Sequence, residues 1–88
     1  MANTGKRLKN LSYEGGTEST NEQGVFTKTL SGNYSGAPFV SVQATGANYN
    51  AFVKSLNSTA LGWQVVFGTS TGEAGFKYQV WGEIRENF

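Results

Sequence analysis

Two stretches in the second half of the chain carry large apolar side chains at every second position, and they constrain the fold more than any other feature. They are Leu61–Phe67 and Phe76–Ile84. The alternating residues of the two stretches are Leu61, Trp63, Val65, Phe67, Phe76, Tyr78, Val80 and Ile84. A period of two is typical of a β-strand with one face on a core. The small and polar run Gly68–Gly75 between them favours a long-looped antiparallel hairpin, which we predict to be the core.

Three earlier segments also have the composition of strands: Val25–Ser31, Phe39–Thr45 and Tyr49–Leu56. Short turns separate them, and Pro38 stands where a strand begins, so its missing N–H does least harm. The chain of 88 residues has 12 Gly and one Pro, and no window of it shows a helical period. We therefore predict an all-β fold, a small antiparallel β-sandwich of five to six strands.

The N-terminal quarter of the chain is polar and is predicted to be an extended arm. Arg7–Glu14 alternates weakly, with its large apolar residues on one face, as an edge strand or an extended arm would. Gly15–Gly24 is predicted to be a polar loop. This divides the chain into an arm, residues 1–22, and a β-sandwich domain, residues 23–88.

The arm is also basic, because three of the seven Lys and Arg residues stand at Lys6, Arg7 and Lys9. The whole chain has a formal charge of +1. A basic arm can contact nucleic acid or an acidic protein surface, or it can simply solubilise the terminus. Because the total charge is nearly neutral, a dedicated nucleic-acid surface is not expected. We expect the arm to dock on a protein partner.

Several residue types that carry out catalysis are missing. The chain contains no Cys, no His and no Asp, which excludes disulfides, Cys-ligated zinc, catalytic triads and imidazole general bases. Glu73 and Glu83 are the remaining candidates for a carboxylate pair of the kind that glycosidases use. No partner groups accompany them in the sequence, so we expect no enzyme activity, no metal and no cofactor.

Large apolar residues also occupy the reverse side of the predicted strands. If Val40 faces the core then Phe39 faces outward, and Trp81 is outward in the same way beside Val80. Single exposed aromatics are ordinary, but several on neighbouring strands indicate a second buried surface. We predict that Phe39, Phe52 and Trp81 anchor an oligomer interface; the alternative is that they cap the edges of the core.

Four segments in this order resemble a known family: Phe26–Ser31, Ala37–Val42, Leu61–Val65 and Tyr78–Ile84. Together they are similar to the H-type lectin module and to the related C-terminal domains of bacteriophage tail fibres. The resemblance implies a six-stranded antiparallel sandwich that assembles as a trimer on the outside of a phage particle. It also implies sugar binding near subunit boundaries, although none of the family's sugar-binding residues has a matching position here.

From the resemblance we expect a small virion protein, encoded separately since the chain begins at Met1, that serves as a head decoration or fibre subunit. Its arm would dock on a neighbouring capsid or fibre protein. The alternative is a receptor- or glycan-binding module that contacts a glycan of the host surface through the turns Asn33-Tyr34-Ser35 and Asn48-Tyr49-Asn50. No apolar run resembles a signal peptide or a membrane span. We therefore expect synthesis in the host cytoplasm and a final place in the virion.

Overall fold

The computed structural model describes residues 10–84, and within that range all the regular structure is β-strand. The strands are β1 (Leu11–Ser19), β2 (Val25–Thr29), β3 (Phe39–Ala44), β4 (Ala51–Thr59), β5 (Gly62–Thr69) and β6 (Gly75–Glu83). They form two three-stranded antiparallel sheets with the strand orders β1-β6-β3 and β2-β5-β4. The predicted all-β fold, a small antiparallel β-sandwich, is confirmed.

The core lies between the two central strands, because β5 and β6 each turn a row of large side chains toward the opposite sheet. Val65 and Phe67 of β5 are fully buried, as are Phe76 and Val80 of β6. The ring of Phe67 lies 5.0 Å from the ring of Phe76 and 5.0 Å from that of Tyr78. These residues are among those predicted to face the core. Burial of their apolar surface is the main stabilising contribution to the fold.

The predicted hairpin between these two strands is wrong. β5 pairs with β2 and β4, whereas β6 pairs with β1 and β3, so the strands lie in different sheets. Residues 70–74 therefore carry the chain from one sheet to the other. Alternation specifies which side of a strand is buried, but it does not specify the neighbouring strand. Two central strands in facing sheets consequently show the same pattern as the two strands of a hairpin.

The chain around β4 and β5 departs from the predicted pattern at single residues. Leu61 is 85% exposed, because it lies in the turn before β5 and not in the strand. In β4 the pairing with β5 shifts between Val53 and Ser55, which marks a β-bulge. Both Phe52 and Val53 are partly exposed as a result, although simple alternation would bury one of the two.

The segment predicted to be a polar loop is partly a strand. β1 pairs with β6 from Leu11 to Ser19, so the loop prediction for Gly15–Gly24 is wrong over residues 15–19. At Gly15 a Cβ atom would lie 2.6 Å from the backbone oxygen of Tyr78, so the close approach of β1 to β6 requires a glycine there. Residues 11–19 of the predicted arm thus belong to the sandwich. For residues 1–9, which lie outside the described residues, the extended arm stays a prediction.

Candidate interaction surface

Three aromatic side chains cross the outer face of the β1-β6-β3 sheet in one row. Trp81 of β6 is paired with Tyr13 of β1 on one side and with Phe39 of β3 on the other. The ring centroids of Phe39 and Trp81 are 5.5 Å apart and stacked, and those of Tyr13 and Trp81 are 6.4 Å apart in an edge-on arrangement. Tyr13 is 70% exposed, Phe39 65% and Trp81 38%. With exposed Leu11, two positions before Tyr13, the row forms what we call the aromatic face.

The aromatic face contains two of the three predicted interface residues. Phe39 and Trp81 meet because β3 and β6 are neighbours in register. Phe52 does not join them, since β4 belongs to the other sheet and its ring covers Gly68 of β5. Leu11 and Tyr13 also lie on this face, although neither was among the predicted interface residues. Their signal was the weak alternation at the start of β1, which identifies a face but not the strand beside it.

A polar groove continues the same outer face beyond Tyr13. It has a volume of about 530 Å³ and runs over β6 between β1 and β3. Outward residues of all three strands line it: Tyr13, Thr17, Ser41, Gln43, Lys77 and Gln79. Gly15 leaves the β1 side open, and a Cβ atom there would lie 2.6 Å from the backbone oxygen of Tyr78. The groove therefore offers amide, hydroxyl and ammonium groups beside one aromatic ring.

Tyr34, predicted to contact a glycan, is buried and has a structural role. Only 2% of the residue is exposed, and its hydroxyl donates a hydrogen bond of 2.7 Å to Oε2 of Glu14. The same carboxylate accepts hydrogen bonds from the backbone N–H groups of Ser31 and Gly32. These contacts join the edge strand β1 to the loop between β2 and β3. Asn33 is exposed beside this cluster.

The cluster changes the acidity of both ionisable groups. Partial burial of Glu14 opposes ionisation, but the hydrogen bonds from Ser31, Tyr34 and Gly32 outweigh it, so the pKa of the carboxyl lies below its usual value of 4.5. Burial, reinforced by the bond to Glu14, raises the pKa of Tyr34 to about 12. Glu14 is thus held as an acceptor and Tyr34 as a donor throughout the neutral range.

The second predicted glycan turn is held by its own hydrogen bonds. Asn48 has a φ of 73°, in the left-handed region that asparagine tolerates. The hydroxyl of Tyr49 accepts from the N–H of Gly46 and donates to the carbonyl of Gly75. The backbone N–H of Asn50 donates to the hydroxyl of Ser70. These contacts shape the turn, and they leave Tyr49 half-buried with its hydroxyl already bonded on both sides.

The two candidate carboxylates, Glu73 and Glu83, do not lie together. Glu73 precedes β6 and Glu83 ends it, which separates them by the length of the strand, roughly 30 Å. Between residues 10 and 84, acidic residues nowhere gather in a group of three or more that could hold a metal ion. In the same range, no helix is long and apolar enough to cross a membrane. The basic residues Lys6, Arg7 and Lys9 lie outside the described residues.

Comparisons with protein-family models, with curated proteins and with solved structures find no match. The aromatic face and the polar groove are therefore the features from which a function for this chain can be inferred.

Proposed function

We propose that this chain is a non-enzymatic structural component of a bacteriophage virion, a head decoration or fibre subunit, that assembles with copies of itself through the aromatic face. The observation that carries the proposal is the row of Tyr13, Trp81 and Phe39 on one exposed sheet face. The virion setting comes from the resemblance to phage fibre domains.

The aromatic face has the composition of a subunit contact. Interfaces concentrate aromatic anchors at their centre, and exposed apolar patches on small proteins commonly mark such contacts. Well over half of the surface is exposed for each of three residues of this face, Leu11, Tyr13 and Phe39. The two three-stranded sheets are too small to enclose a large core. A short chain buries little apolar surface in its own core, so covering this face would add buried apolar area and stabilise the protein. The trimer follows from the resemblance, as does docking of the arm with Lys6, Arg7 and Lys9 on a capsid or fibre protein.

The substitution Phe39→Lys tests the face contact. A lysine there would bring an unpaired charge into the interface, which we expect to weaken self-association at least ~30-fold, the effect of losing one hot-spot anchor. The solution mass measured by light scattering should fall. The matched control is Phe52→Lys, on the outer face of the other sheet, which should leave the mass unchanged. The proposal would be contradicted if Phe52→Lys lowered the solution mass and Phe39→Lys did not, or if the wild-type protein were a monomer.

A glycan-binding function is the second candidate, and the polar groove is the observation that favours it. Side-chain amides of Gln43 and Gln79 line the groove together with hydroxyl groups, and the ring of Tyr13 stands at one end of it. Amide and hydroxyl groups hydrogen-bond sugar hydroxyls, and an aromatic ring can pack against the apolar face of a sugar. This places the candidate site on the sheet, away from the two turns predicted from the sequence.

Glycan binding can be tested with a glycan array followed by titration of the best ligand. Gln79→Ala should weaken binding about tenfold, since it removes one or two hydrogen bonds from the groove. Asn33→Ala, in the exposed turn that the sequence favoured, should have no effect. The opposite result would return the site to the turns, and an array without any bound glycan would dismiss this candidate.

A further inference from the structure

No described strand pairs with the outer edge of β1. All nine residues of β1 pair with β6 without a register shift, and β6 is its sole partner among the described strands. The N–H of Ile84 donates to the carbonyl of Asn10, and the N–H of Thr20 donates to the carbonyl of Ala74. In an antiparallel pair, residues whose backbone groups bond the partner strand alternate with residues whose backbone groups point away from it. Since Asn10 and Thr20 bond the partner side, the even-numbered residues of β1 point their backbone groups toward β6. The residues that point theirs toward the open edge are Leu11, Tyr13, Gly15, Thr17 and Ser19.

The other three sheet edges carry features that discourage pairing with another molecule. β2 has five residues, and β3 has six and follows Pro38. β4 contains the bulge, with Lys54 at its centre. Short strands, prolines, lysines and bulges are the devices by which natural sheets protect their edges. β1 has none of these four over nine residues. Of its two charged side chains, Glu14 is already held by hydrogen bonds within the domain. The edge of β1 is therefore the one best suited to accept another strand.

The glutamates of β1 disfavour the two registers next to the one centred on Gly15, the register in which all five residues of the open edge are paired with a second copy of the strand. If a two-fold axis passes through Gly15, Glu18 lies opposite Ser12 of the other copy and Glu14 lies opposite Gly16. Moving the axis by one residue is the smallest shift that still places odd-numbered residues of the two copies opposite each other, so that their open-edge N–H groups stay paired. It places Glu14 opposite either Glu14 or Glu18 of the other copy. Like charges directly opposite each other are destabilising, so the register centred on Gly15 is favoured.

The same register matches the outward side chains. Tyr13 of one copy lies opposite Thr17 of the other, an aromatic and β-branched pair of the kind that stabilises neighbouring strands. Gly15 lies opposite Gly15, where neither copy has a side chain to clash. The aromatic face of each copy would then continue directly into the polar groove of the other.

We propose that β1 pairs edge to edge with β1 of a second copy, antiparallel and centred on Gly15, so that two three-stranded sheets join into one six-stranded sheet. This contact uses the strand edge and does not depend on the aromatic face. If the face contact is three-fold and its axis meets the two-fold axis of the edge contact at a right angle, the two contacts together give a hexamer; if the face contact is absent, the edge alone gives a dimer.

Thr17→Pro tests the edge contact. It removes an N–H that points to the open edge and leaves the bonds to β6 intact, a position where edge strands tolerate proline. Light scattering should show half the wild-type mass for Thr17→Pro and the full wild-type mass for the control Thr17→Ala. Phe39→Lys should break the face contact and leave the dimer formed by the β1 edge. The two variants therefore distinguish failure of the edge contact from failure of the face contact.

Two results would overturn the edge pairing: a wild-type protein with an odd number of chains, a monomer included, or a Thr17→Pro variant with the wild-type mass. Amide hydrogen exchange on the wild-type protein decides the question if Thr17→Pro does not fold. The amides of Tyr13, Gly15 and Thr17 should exchange as slowly as those of Ser12 and Glu14, which face β6. Fast exchange at those three amides in the associated protein would refute the pairing.

Discussion

Tyr34→Ala is expected to destabilise the domain by about 3–5 kcal/mol, the cost of removing a large buried aromatic side chain. The ring is 2% exposed and packs within the hydrophobic core. A domain of 88 residues has a total stability of about 4–13 kcal/mol, so this loss can remove most of it. Denaturant unfolding followed by tryptophan fluorescence would measure it. The glycan-binding alternative instead predicts that this substitution removes binding.

Tyr34→Phe is the matched control for this prediction. It keeps the ring and removes only the hydroxyl that donates to Glu14. Because Ser31 and Gly32 still donate to the carboxylate, we expect a cost of about 1 kcal/mol. If Tyr34→Ala unfolds at the same denaturant concentration as the wild-type protein, the ring does not contribute to the core in the way its burial indicates.

The sequence predicted the faces of the strands well. Large residues at every second position identified Phe67, Phe76 and Val80 as core residues, and the structure buries all three. The same pattern placed Phe39 and Trp81 on the opposite side, where both are exposed. Alternation succeeds at this because it is a local consequence of strand geometry and needs no knowledge of the neighbouring strand.

Strand pairing could not be predicted in the same way, because it depends on contacts between residues that are distant in the chain. β6 pairs with β1, more than fifty residues earlier, and with β3, while β5, the strand before it, joins the other sheet. The aromatic face shares this origin. Leu11 and Tyr13 lie within the segment predicted as an arm, and they join Trp81 only through the pairing of β1 with β6.

Tyr34 shows a different limit of sequence interpretation. The sequence Gly-Asn-Tyr-Ser-Gly has the composition of an exposed turn, which favours surface roles for every residue in it. The tyrosine nevertheless turns inward, because Glu14 of β1 supplies an acceptor for its hydroxyl and lets the ring join the core. A partner twenty residues away therefore decides the burial of this side chain.

Glu14→Gln is expected to cost about 2 kcal/mol at pH 7, the typical contribution of hydrogen bonds to a charged group. The side-chain NH2 group of glutamine would face the backbone N–H of either Ser31 or Gly32, and because both groups are donors, that hydrogen bond would be lost. Because the pKa of Glu14 is lowered in the folded state, its stabilising contribution is present above its usual pKa of 4.5 and is lost as the pH falls through the folded value. The stability difference between Glu14→Gln and the wild-type protein should therefore be constant from pH 7 to about 5 and shrink below about 4.5. Glu18→Gln, on the same strand but outside the cluster, is the control, and an equal effect from both variants would contradict a specific role for Glu14.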